Sequence, residues 1–137
     1  MNDKAAKQRR VQVWIDRAQY DLDTAKAMLD TGRYIYVVFM CQQAIEKRLK
    51  AYIEDTGTTP PRIHNLINLC KTIDVYESLP DNLKDFLQEL TAYYLDSRYK
   101  EDIARLSAFM NKEKAGYYFE KTKEVLEWLT QKKKLSV

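Results

Sequence analysis

The sequence predicts an all-α protein, an up-and-down four-helix bundle with an additional short helix, and three observations carry that prediction. Only 3 glycines and 3 prolines occur in 137 residues, too few for the many tight turns of a sheet protein. Hydrophobic residues at 45% and charged residues at 31% describe a globular chain rather than a disordered one. Apolar residues also recur at helical spacing over long stretches. The clearest stretch is on the second helix, where Val38, Cys41, Ile45 and Tyr52 form a stripe that Ala44 and Leu49 widen. This length is expected to give one domain with a real core. We divide it into a polar N-terminal extension (1–10), the bundle (11–133) and a short C-terminal tail (134–137).

The first helix is expected from about Gln8 to Thr31. Trp14, Ala18, Leu22, Ala25 and Leu29 mark its buried face, with Ile15 and Met28 alongside, while Asp16, Asp23, Lys26 and Asp30 face water. Gly32 ends it as a C′ residue, and the second helix starts near Arg33 or Tyr34 and runs to about Asp55. So short a connection makes the two helices antiparallel neighbours. The strongest break is Thr56-Gly57-Thr58-Thr59-Pro60-Pro61. A shorter helix follows, roughly Ile63 to Ile73, with Ile63, Leu66, Ile67, Cys70 and Ile73 inward. The next helix covers about Pro80 to Tyr99, with Ser78 and Asp81 as a capping-box-like start and Leu83, Phe86, Leu87, Leu90 and Tyr94 as its stripe. Between Tyr99 and Asn111, residues Ile103, Leu106 and Met110 either continue that helix or form an ordered connection. The last helix is expected from Asn111, its N-cap, to Lys133, with Ala115, Tyr118, Phe119, Thr122, Val125, Leu126 and Leu129 inward.

Charge excludes little but directs attention. The 23 basic and 20 acidic residues give +3, too mild for a concentrated nucleic-acid face. The clusters at Lys4, Lys7, Arg9 and Arg10 and at Lys132 to Lys134 sit at chain ends, where solubility and, for the second cluster, the negative C-terminal pole of a helix explain them. Cys41 and Cys70 occupy apolar helical positions with no Cys-x-x-Cys or Cys/His cluster, so no metal or other cofactor is expected. With no signal-like h-region and no apolar run long enough to span a bilayer, the chain is expected in the cytoplasm and off the membrane.

Chemistry has few carriers. His64 is the only histidine, and no glycine-rich phosphate loop is present. No residue is assigned a catalytic role. On the second helix, Gln43, Lys47 and Lys50 form one surface row at i, i+4, i+7, while Gln42 and Glu46 lie at the core edge in line with Leu49 and Ile53. A carboxylate at a core edge needs a partner, and His64 is the proposed one for Glu46. Arg98, flanked by Tyr93, Tyr94 and Tyr99 and followed one turn later by Asp102, either forms a surface ion pair or contacts a phosphate.

At these residues the sequence resembles the HEPN domain family. The resemblance rests on W-I-D-R-A-Q-Y-D-L-D-T-A-K-A-M-L-D-T-G-R-Y from Trp14 to Tyr34 and Q-Q-A-I-E-K-R-L-K-A from Gln42 to Ala51. It extends to H-N-L-I-N-L from His64 to Leu69 and to Tyr94 with S-R-Y-K-E-D from Ser97 to Asp102. It implies a helical bundle assembled as a homodimer, often paired with a minimal nucleotidyltransferase as toxin and antitoxin, and similar to nucleotidyltransferase substrate-binding domains. Other members are metal-independent ribonucleases that use an Arg, then four to six intervening residues, then a His. Arg98 matches the Arg, but Ile103, Ala104 and Arg105 stand where the His is required. The leading expectation is therefore a non-catalytic, dimeric interaction and nucleotide-binding module, with Gln43, Lys47, Lys50, Arg98, Tyr99 and Asp102 as nucleotide or partner contacts. An atypical ribonuclease acting on RNA is the alternative, disfavoured by the missing His. A bundle whose polar face serves only dimerisation is the third reading.

Overall fold

The computed structural model describes residues 2–99 and 107–135, with side chains throughout except at 2 and 96–99. Within them the chain is all-α: α1 (Asn2–Asp30), α2 (Tyr34–Asp55), the short α3 (Leu66–Thr72), α4 (Asp81–Tyr99) and α5 (Lys112–Lys132), with a one-turn 3-10 helix at Tyr76–Ser78 before α4. Cross-helix contacts give the directions. Lys7 meets Asp55 and Lys47 meets Asp21, so α1 and α2 are antiparallel. Tyr118 of α5 is tied to α4 by ring contacts with Phe86 and Tyr93 and by a hydrogen bond to Glu89. Tyr52 of α2 reaches Leu129 and Arg48 reaches Thr130, and both lie toward the C-terminal ends of α2 and α5, so these two helices run parallel. Antiparallel α1 and α2, with α2 and α5 parallel, fit the arrangement of an up-and-down bundle.

Local chemistry sets most boundaries. Gly32 sits at φ 78°, a left-handed conformation that glycine adopts without Cβ strain, and Arg33 N–H donates back to the Met28 carbonyl at 2.8 Å. Asn65 caps α3 by accepting from Asn68 N–H, and Asn111 caps α5 by accepting from Lys114 N–H. Three boundaries differ from expectation, one of them that of α3, which begins at Leu66 rather than Ile63 and leaves Ile63, expected inward, exposed. The first helix starts at Asn2 rather than Gln8, because its opening turns rest on the end of α2: Lys7 Nζ donates to the Asp55 carbonyl and Arg10 pairs with Glu54. Ser78 lies in the 3-10 turn, and Pro80, whose carbonyl accepts from Leu83 and Lys84 N–H, immediately precedes α4. Ile103 and Leu106 fall outside the described residues, whereas Met110 is buried.

The core is centred on α2. Ile45, Leu49, Tyr52 and Ile53 are sealed from solvent together with Leu66 and Leu69 of α3, Leu83, Phe86, Leu87 and Leu90 of α4, and Leu129 of α5. The first helix is peripheral. Its buried members are Val11 and the small Ala18 and Ala25, and Trp14, Leu22 and Leu29 are only half-buried.

Both thiols belong to this core, and burial pushes each up to about 12 from the ordinary 9.0, for Cys41 partly offset by the neighbouring Thr122 hydroxyl. Since the thiolate is the reactive form, alkylation of the folded protein at pH 8 is expected to be about a thousandfold slower than after denaturation. The folded state holds these protons longer than the unfolded state does. Their contribution to stability is thus complete below about pH 9 and is lost as pH rises from 9 toward 12. Timed iodoacetamide labelling read by mass spectrometry checks it; rapid modification of the native protein would show thiols that are not buried.

Candidate functional site

The polar residues of α2 divide between two environments. At the core edge, Glu46 is only 4% exposed. Its carboxylate lies 3.0 and 3.1 Å from His64 Nδ1 and accepts from Lys50 Nζ at 3.0 Å. One turn earlier, the fully buried Gln42 donates its amide to the His64 carbonyl at 2.8 Å. Gln42 and Glu46 thus hold both the backbone and the ring of His64, fixing the connection that follows Pro60 and Pro61 onto α2. Gln42 Oε1 is buried with no hydrogen-bond partner among the described residues.

Lys50 requires a correction. Expected on a surface row with Gln43 and Lys47, it is buried, paired with Glu46, and its ammonium lies 5.9 Å from the centre of the Trp14 ring. Helical geometry explains it: position 50 lies one turn beyond Glu46, and α1 lays its tryptophan over that turn.

The second environment is an open cleft of about 360 Å³ between α1, α2 and α4, lined by Asp21, Phe39, Met40, Gln43, Lys47 and Tyr94. Gln43 donates its amide to the Tyr94 hydroxyl at 2.8 Å, and Lys47 Nζ donates to Asp21 Oδ2 at 2.5 Å. The Tyr36, Phe39 and Tyr94 rings meet edge to face, with centroids 5.5 and 6.2 Å apart, and the His64 ring lies 6.3 Å from Tyr94. Gln43 and Lys47 are therefore held in place before any ligand arrives, but the Lys47 charge is already answered by a carboxylate. Asp21 and the Tyr94 hydroxyl were missed as site residues in the sequence. The signal for Tyr94 was present, because a tyrosine in a core stripe must find a partner for its hydroxyl. Nothing local pointed to Asp21.

Position 98 falls one helical turn beyond Tyr94 in α4. The side chains of Arg98 and Tyr99, and all of Asp102, lie outside the described residues. Among the described residues no group of three or more His, Cys, Asp or Glu is placed to hold a metal, and no helix is long and apolar enough to cross a membrane.

Known proteins are similar to this chain in sequence and fold. "Putative toxin MJ1304" of Methanocaldococcus jannaschii is 29% identical over 107 residues, covering 74% of this chain and 70% of that protein. The crystal structure of TT1696 from Thermus thermophilus superposes with a TM-score of 0.77 at 22% identity, covering 90% of this chain and 98% of the other. That of ST0689, described as an archaeal HEPN homologue, gives 0.71 at 23% identity, covering 88% and 95%. At these identities the two structures speak to the fold alone. The family model of the HEPN domain matches residues 11–134, nearly the whole sequence, and the chain belongs to the HEPN domain family.

Proposed function

We propose that this protein is a non-catalytic HEPN interaction module that pairs with a minimal nucleotidyltransferase as a toxin–antitoxin couple. The observation that carries the reading is the cleft beside α2, where Phe39, Met40 and Tyr94 offer apolar and aromatic surface and Gln43 and Lys47 are already fixed in position. Pre-set aromatic anchors edged by polar groups suit recognition, because little side-chain freedom is lost on binding. The non-catalytic part has its own support. His64 Nδ1 is committed to Glu46, and both thiols are held protonated. A nucleotide in this cleft would find ring faces and the Gln43 amide, whereas Lys47 and Lys50 are neutralised by Asp21 and Glu46. Its phosphates would then depend on Arg98.

Co-purification from the native host tests the partnership: a stoichiometric nucleotidyltransferase is expected, and Phe39→Ala is expected to weaken the complex at least tenfold. Recovery of this protein alone would overturn the pairing. Isothermal titration with ATP tests the nucleotide part, which no heat at millimolar ligand would remove. The second reading, an atypical ribonuclease toxin, is favoured by the name of the Methanocaldococcus jannaschii relative. Growth arrest on expression that disappears in Arg98→Ala, together with RNA cleavage by the purified protein, would replace the first reading with this one.

A further inference from the structure

A separate cavity of about 570 Å³ lies between α4, α5 and the turn preceding α5. Its walls are aromatic: Tyr93 from α4, Tyr117 and Tyr118 from α5, and Phe109 from the turn. The rings brace one another, with the Tyr118 centroid 6.2 Å from Tyr93 and 5.8 Å from Tyr117, and Phe86 packed 5.8 Å behind Tyr118. Phe109 and Tyr117 nevertheless remain 64% and 48% exposed, so large aromatic surface faces solvent around the cavity. Two carboxylates, Glu89 and Glu113, share the lining. The Tyr118 hydroxyl donates to Glu89 Oε1 at 2.9 Å, holding that carboxylate beside the rings. Burial, reinforced by Glu89, pushes the Tyr118 phenol up, so it stays a donor at neutral pH. Lys114 also reaches the lining, with its Nζ turned toward the Phe109 carbonyl at 3.4 Å.

We propose that this cavity binds a small organic cation of the alkylammonium class. Electron-rich ring faces attract a cation by their quadrupole, and Glu89 and Glu113 add net negative charge that Lys114 offsets only by half. The aromatic faces would also stack a nucleobase, but its phosphates would meet both carboxylates, and that electrostatic cost decides against a nucleotide. The volume suits a whole small molecule, within the roughly 300–1,000 Å³ of ordinary ligand sites. This inference stands apart from the proposed partnership, which uses the cleft beside α2.

Calorimetric titration with choline, set against its uncharged isostere 3,3-dimethyl-1-butanol, tests it. Choline is expected to bind at millimolar concentration or below and the alcohol at least tenfold more weakly. Tyr117→Ala and Glu89→Gln are each expected to weaken choline about tenfold, with circular dichroism showing that the helices persist. Glu113→Gln at the exposed rim serves where either variant fails to fold. A trimethyllysine peptide that binds with the same dependence on Tyr117 would make a protein side chain the source of the cation; binding of choline alone would make it a free metabolite. Equal binding of choline and the alcohol, no binding of any cation, affinities unchanged in the variants, or Tyr117-dependent binding of AMP would each overturn the proposal.

Discussion

Replacing Glu46 with alanine is expected to destabilise the protein by about 3–5 kcal/mol, the cost of breaking a buried ion pair from one side. The carboxylate and the Lys50 ammonium face each other at 3.0 Å with side chains only 5% and 8% exposed, so solvent screens neither. Removal of the carboxylate takes from the Lys50 ammonium its ion-pair partner, Glu54 one turn on being held by Arg10 and Trp14, and cuts the His64 ring loose from α2. In a domain of this size the loss corresponds to a fall in Tm of roughly 10–20 °C. Lys50→Met in the same background should restore most of it, since the unpaired charge rather than the missing contact dominates the penalty. A Glu46→Ala protein that melts within a few degrees of the parent would mean that the pair is solvated and the charge never truly buried. The Lys47–Asp21 pair is the control. Its side chains are 23% and 14% exposed, and Lys47→Ala is expected to cost well under half as much.

That contrast also marks how far the sequence could be read. The polarity of α2 was legible because a single helix presents it: Gln42 and Glu46 fall in line with Leu49 and Ile53, and a carboxylate there required a partner. The helix ends at Gly32 and Asn111 were legible because each is written in one residue with a specific backbone role. What escaped depended on a second helix. Lys50 is buried by Trp14, and Lys47 is neutralised by Asp21, both from α1. The opening turns of α1 are ordered by Asp55 and Glu54, more than forty positions away. Similarly, α3 begins at Leu66 rather than Ile63, because Gln42 and Glu46 hold His64 in the connection and leave Asn65 to cap the helix. Local periodicity carries no record of such pairings.

The bundle's axis from α2 to α5 gives the second large effect. Tyr52 is 1% exposed, and its hydroxyl donates to the Leu129 carbonyl at 2.9 Å. That carbonyl also accepts from Lys133 N–H at 3.0 Å, so loss of the hydroxyl does not strand it. Tyr52→Phe should therefore cost only about 1 kcal/mol, the net worth of one hydrogen bond. Tyr52→Ala removes the ring as well, and with it the surface that packs under the Arg48 guanidinium 5.6 Å away. A loss of about 3–5 kcal/mol is expected, as for other large aromatic-to-alanine changes in a closed core. Urea denaturation of both variants, with an unchanged dependence on denaturant, separates the two contributions. The difference between them measures packing alone, because both lack the hydroxyl. If Phe cost as much as Ala, the polar tie to α5 would be the main restraint and the ring a spectator. The sealed environment of Tyr52, in one core cluster with Leu49, Ile53 and Leu129, argues for the ring.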